Sequence, residues 1–319
     1  MRLFPDNAAP VQSPGQPLDR PHALLRPRIA IPFVIVGLIW GSTWLVIRDQ
    51  LEGVPPGWSV AWRFVLATPA MFLVALLSGD GLRMSGKGHA LALFVGVTQF
   101  CGNYNFVYRA EQYLTSGIVA VMISLLLVPN TLLARLILGQ KATPRFYVGS
   151  AIAIAGIALL LLHESRAAPP GGNVPLGIAL ALGGMIAASV SNVMQANETG
   201  RAMPMTTLIA WSMLYGAICD GTLAWAMSGP PVLPDRPGYW LGTAWLAIFG
   251  SVVTFPMYYR LIRELGAGRA AYNGIMVLVV AMILSTVFEG YRWSALAVAG
   301  AVLALAGLVI ALRARNPVT

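Results

Sequence analysis

Charge is what this sequence lacks most. Of its 319 residues only 10% are Asp, Glu, Lys or Arg while 57% are hydrophobic, whereas soluble domains carry roughly 25% charge. A chain so poor in charge belongs in lipid. Cysteine is nearly absent: Cys101 and Cys219 both sit in apolar runs, which leaves no disulfide framework and no Cys/His metal cluster. Histidine is limited to His22, His89 and His163, in the tail or at the ends of apolar runs. No acid pair stands at catalytic spacing and no glycine-rich phosphate loop carries a lysine. The chain is therefore expected not to be an enzyme, to have no catalytic residue, no metal and no cofactor. Any work it does would draw on an ion gradient or on a solute's own gradient. The net charge of +9 does not point to nucleic acid, because the basic residues lie in short connectors and form no aromatic-interleaved patch.

What is present is a series of ten apolar runs, at about 29–48, 58–78, 89–109, 115–138, 145–163, 175–196, 205–227, 239–261, 270–288 and 293–312. Each is close to the roughly 20 residues that cross about 30 Å of hydrocarbon. Between them lie breakers such as Val54-Pro55-Pro56-Gly57, Ala168-Pro169-Pro170-Gly171-Gly172 and Gly229-Pro230-Pro231, which mark turns in water. Residues 1–28 hold six prolines and little apolar content; a disordered tail is expected there, with no cleavable signal peptide. Residues 313–319 read as a second short tail.

Lys and Arg set an expected orientation. With the N-terminus inside, fifteen of the twenty-one lie on the cytoplasmic side, among them Arg83, Lys87, Arg135, Arg201, Arg260 and Arg263. Five lie outside: Arg48, Arg109, Arg166, Arg236 and Arg292. The positive-inside rule then places both termini in the cytoplasm.

The chain also repeats itself. Adding 151 to the residue number carries Tyr108-Arg109 onto Tyr259-Arg260, Gly117 onto Gly268, Gly139 onto Gly290, Gly149 onto Gly300 and Ala155-Gly156 onto Ala306-Gly307. Two halves are expected, 29–163 and 175–312, each with five spans. Five is odd, so the second half enters the membrane inverted relative to the first. The fold expected is an all-α integral membrane protein of ten transmembrane helices in two inverted five-helix repeats. Such halves hold a solute site near the midplane and expose it alternately to either side.

At this point the sequence resembles a known family. Trp40-Gly41-Ser42-Thr43, Arg63, the run from Tyr108-Arg109-Ala110 through Leu114-Thr115-Ser116-Gly117 to Val128-Pro129, and Glu264-Leu265-Gly266-Ala267-Gly268-Arg269-Ala270-Ala271 are similar to the EamA-type transporters of the drug/metabolite transporter superfamily. The resemblance covers about residues 30–312. It implies two five-helix repeats and export of small molecules from a bacterium across its inner membrane. Two departures stand out: the family's proline in the ninth span is Val280 here, and its glutamate near the end of the fourth span is replaced by Leu138-Gly139-Gln140.

Candidate site residues follow from what lipid cannot satisfy. Trp40, Thr43, Gln99, Asn103, Tyr104, Asn192, Tyr258 and Asn273 are the expected substrate-binding set. The amides need partners, while Trp40 and Trp44, like Tyr104 and Tyr108, share one helical face by their spacing of four. Arg63 and Asp220 stand inside spans at similar depth and are expected to form a coupling or structural ion pair. Gly149, Ala153 and Gly156, repeated as Gly300, Ala304 and Gly307, form small-residue faces for helix packing within one chain or across a homodimer. A neutral, aromatic and amide-rich site fits amino acids, their derivatives or drug-like molecules rather than phosphorylated sugars, which need basic clamps. The partners expected are a small-molecule substrate and the lipid bilayer. A channel-like facilitator, or a membrane protein with no transport role, is the competing reading.

Overall fold

The computed structural model describes residues 27–139, 143–167, 173–265, 270, 271 and 273–313. The N-terminal tail through residue 26, residues 140–142, Ala168–Gly172, Gly266–Arg269, Tyr272 and the tail after Arg313 lie outside the described residues. Among the described residues there are helices and no strands, in the order α1 (Pro27–Gln50), α2 (Pro56–Leu77), α3 (Gly86–Val95), π1 (Gly96–Asn103), α4 (Tyr104–Ala110), α5 (Ser116–Ser124), α6 (Leu127–Leu138) and α7 (Pro144–Ala167). There follow α8 (Val174–Met194), α9 (Glu198–Arg201), α10 (Met205–Ser228), α11 (Pro237–Ala247), π2 (Ile248–Val253), α12 (Thr254–Leu265), α13 (Asn273–Phe288) and α14 (Ala295–Arg313).

Among the described residues each apolar run read from the sequence lies mostly on helix. Six helical stretches among the described residues are long and apolar enough to cross a membrane: Pro27–Gln50, Pro56–Leu77, Ser116–Leu138, Pro144–His163, Val174–Met194 and Pro237–Leu265. Asn273–Phe288 and Ala295–Ala311 are shorter apolar helices. Large apolar side chains such as Leu76, Leu136, Leu241 and Ile283 point outward, as lipid rather than water requires. The helices stop where the backbone turns left-handed: Gly139 at φ 67° and Gly290 at φ 68° hold equivalent places in the two copies. Glycine enters that region at no steric cost.

Helices from the two copies pack against each other antiparallel. On α7 and α14, a Cβ placed on Gly149 would lie 2.2 Å from the Ala311 nitrogen, and one on Gly156 would lie 2.3 Å from the Ala304 nitrogen. The small-residue faces therefore meet within one chain. α2 runs against α10 in the same sense, with Gly57 beside Ala224 at one end and Phe72 against Trp211 at the other, ring centroids 5.3 Å apart. α5 and α13 pair Gly117 with Ser285 and Ser124 with Gly274.

The fourth run is broken at a place where the ninth is continuous. α5 ends at Ser124 and α6 begins at Leu127, because Pro129 has no N–H to give the Leu125 carbonyl and its ring crowds that carbonyl. At the equivalent place Val280 keeps its N–H, and α13 runs on from Asn273 to Phe288. α1 closes on this valine through Gly41, where an added Cβ would stand 2.5 Å from the Val280 Cβ. Gly41→Ala is expected to cost roughly 1–3 kcal/mol by overpacking, and the double variant with Val280→Gly, which removes the Cβ it meets, to regain part of it. Thermal unfolding of the two single and one double variant checks this coupling.

Candidate functional site

A cleft of about 830 Å³, counted with the open space at its mouth, lies between the two copies. All eight residues of the expected binding set line it: Trp40, Thr43, Gln99, Asn103 and Tyr104 from the first copy, Asn192, Tyr258 and Asn273 from the second. Trp44, Val107, Ser124, Phe255 and Val277 are among the residues that complete the wall.

Backbone geometry explains how the polar groups come together. Gln99 and Asn103 sit on π1, and π2 occupies the matching place in the second copy. A π turn inserts one residue per turn and swings the following side chains around the axis. π2 brings Gly250 and Ser251 against the cleft wall: the Gly250 carbonyl accepts from the Trp40 indole at 3.2 Å and from Arg63 at 3.0 Å. Trp40 is wedged between Phe255 at 5.5 Å and Tyr258 at 4.8 Å, ring centroid to centroid.

The polar atoms divide into satisfied and unsatisfied. Thr43 returns its hydroxyl to the Trp40 carbonyl at 2.7 Å, and Ser42 does the same to Ile39, so both hydroxyls serve their own helix. The Asn273 amide nitrogen donates to the Phe33 carbonyl. In contrast, Gln99 Oε1, Asn192 Oδ1 and Asn273 Oδ1 are buried acceptors with no partner among the described residues. Such groups cost free energy unless something fills the cleft and donates to them. No described residue lining the cleft is charged.

Arg63 and Asp220 do not form the expected ion pair. Among the described residues the ion pairs are Arg236 with Asp49 and Glu52, and Arg260 with Glu264. Arg63 instead turns toward the cleft wall, donating to Ser251 at 3.1 Å, Tyr104 at 3.3 Å and Tyr108 at 3.5 Å. Asp220 accepts from Asn105 at 2.6 Å, whose own oxygen accepts from Arg109 at 2.6 Å. Equal depth on neighbouring helices does not fix which way a side chain points. Asn105 is the residue that sequence reasoning missed; its spacing of four from both Cys101 and Arg109 puts all three on one face.

Apolar helices around a solute-sized, neutral, aromatic and amide-lined cleft define a multi-pass membrane protein built to hold a small molecule. The sequence pattern of the EamA-like transporter family matches residues 28–162 and again 175–313. The chain belongs to that family. It is similar to Protein PagO of Salmonella typhimurium, 24% identical over 91% of this chain and 95% of that one. The "Uncharacterized inner membrane transporter YedA" of Escherichia coli K12 is 29% identical, over 82% of this chain and 84% of its own length. A "Probable amino-acid metabolite efflux pump" of Salmonella typhimurium is 22% identical, over 87% and 92%. One crystal structure shares the fold at TM-score 0.67 and 18% identity, covering 92% of this chain and 99% of that one.

Proposed function

We propose that this protein is a secondary transporter that exports small metabolites, amino acids or related compounds, across a bacterial inner membrane by alternating access. The reading is carried by one observation: the cleft is walled by residues of both copies, so relative movement of the halves must open or close it. The copies, 29–163 and 175–312, act as two five-span repeats inverted with respect to each other. The antiparallel contacts of α2 with α10, α5 with α13 and α7 with α14 support that inversion, since a twofold axis in the membrane plane pairs equivalent helices head to tail. Both termini then face the cytoplasm. The names of relatives, one an inner membrane transporter and one an amino-acid metabolite efflux pump, support the membrane, the direction and the cargo.

Flux of a radiolabelled amino acid panel into proteoliposomes tests the reading. A carrier saturates; flux that stays linear with concentration contradicts alternating access and favours a channel. Asp220 is the group proposed to couple movement to protons, because it is buried inside α10 and its Oδ2 has no hydrogen-bond partner among the described residues. Asp220→Asn is expected to leave the fold intact, since the side-chain oxygen of the new asparagine can still accept from the Asn105 amide, while flattening the pH dependence of flux. An unchanged pH profile in this variant rules out the coupling role.

A further inference from the structure

Arg63 is 1% exposed and stands within an apolar helix long enough to cross a membrane, where a lone charge is costly. Its guanidinium has five N–H donors, and every acceptor it meets is neutral: Ser251 Oγ, the Gly250 carbonyl, and the hydroxyls of Tyr104 and Tyr108. It also lies over the Tyr104 ring, 4.4 Å from the centroid. No carboxylate stands within ion-pair distance of it among the described residues, and Asp220 on the neighbouring α10 is engaged with Asn105. A guanidinium whose only task was to tie π2 to α2 would not require a phenol between itself and an open space.

Tyr104 is that phenol. Its oxygen accepts from Arg63 while its side chain lines the cleft, so its own proton is directed away from the guanidinium. A cation on the oxygen's acceptor side makes that O–H a stronger donor. The opposite demand is made by Gln99 Oε1, Asn192 Oδ1 and Asn273 Oδ1, acceptors that wait for a donor. The cleft thus has a donating, positively biased wall at Arg63 and Tyr104, and accepting positions elsewhere.

We propose that Arg63, acting through the Tyr104 hydroxyl, is the residue by which the cleft selects its cargo: a compound bearing one carboxylate, seated against Tyr104. The inference rests on the transport reading above and names the charge of what is carried. Arg63 is a positioning and charge-setting residue; Tyr104 makes the contact. A charge-assisted hydrogen bond contributes enough to shift affinity roughly tenfold to a hundredfold.

The test uses the purified full chain and four probes with the same phenyl body: 3-phenylpropanoate, phenylalanine, phenylalaninamide and phenethylamine. Thermal stabilisation measured against concentration gives an affinity for each. The two acids are expected to bind at least about tenfold more tightly than the amide and the amine. In Arg63→Met that preference is expected to vanish, and in Arg63→Lys, which keeps the charge, to persist. Should Arg63→Met fail to fold, Tyr104→Phe leaves the guanidinium in place and is expected to lose the preference for acids alone. Equal or tighter binding of the amide or amine by the unaltered protein overturns the inference, as does a preference that survives Arg63→Met or Tyr104→Phe. Binding of none of the four overturns it as well. Transport itself stands or falls separately, on whether proteoliposomes show saturable flux of any amino acid.

Discussion

Replacing Gly156 by valine is expected to separate α7 from α14 and leave little protein that stays folded in detergent. A Cβ at this position would stand 2.3 Å from the Ala304 nitrogen and 2.6 Å from the Gly300 carbonyl. Both are backbone atoms, which cannot turn aside as a side chain end can. The interface is reciprocal, because a Cβ on Gly307 would meet the Ala153 nitrogen at 2.2 Å and one on Gly300 the Gly156 carbonyl at 2.7 Å. Helices this close gain dispersion and Cα–H···O contacts along their length, which in lipid replace the missing hydrophobic drive. Overpacking against yielding side chains costs typically 1–3 kcal/mol; against backbone on both sides the loss is expected at roughly 3 kcal/mol or more. Gly221→Ala is the control, since nothing lies within 4 Å of its added Cβ. Thermal unfolding and size-exclusion profiles of the two variants check the contrast.

Trp40→Ala is expected to remove most transport while leaving more of the fold than Gly156→Val does. The indole fills the centre of the cleft wall, packed on Phe255 and Tyr258, and its N–H anchors the π2 carbonyl of Gly250. Deleting it enlarges the cleft, exposes the Gly250 carbonyl and loosens π2, the segment that also holds Arg63. Aromatic anchors of binding sites lose about 2 kcal/mol or more on truncation, close to a 30-fold weaker affinity. Trp40→Phe keeps the ring contacts but not the N–H, and is expected to retain part of the flux. Concentration-dependent uptake by proteoliposomes separates the two: the alanine variant is expected to need far more substrate for half-maximal rate.

How much of this was legible in the sequence depended on which physical constraint was acting. The apolar runs were readable because hydrocarbon demands about 20 apolar residues per crossing; Gly139 and Gly290 were readable as a repeat, though not as the left-handed residues they are. The residues that line the cleft were readable as a list, since amides and mid-span aromatics need partners that lipid does not supply. Their assembly was not. π1 and π2 fall in register between the copies, yet an inserted residue in a helical turn leaves no residue-type signature. Arg63 and Asp220 were matched by depth, and depth says nothing of azimuth: one faces Tyr104 and the other Asn105. Val280 in place of proline gave a usable signal, since a residue with an N–H lets α13 continue where α5 stops.

The central claim is the inversion of the two halves, and the repeat itself supplies the probe. Arg109 and Arg260 are equivalent residues 151 positions apart, so inversion sends them to opposite faces of the membrane. Single cysteines placed at 109 or at 260, in a chain with Cys101 and Cys219 replaced by alanine, can be labelled in intact cells with a membrane-impermeant maleimide. Labelling at 109 from outside, and at 260 only after the membrane is opened, is the expected result. Labelling of both positions from the same side would contradict the inversion, and alternating access between mirror-related halves with it.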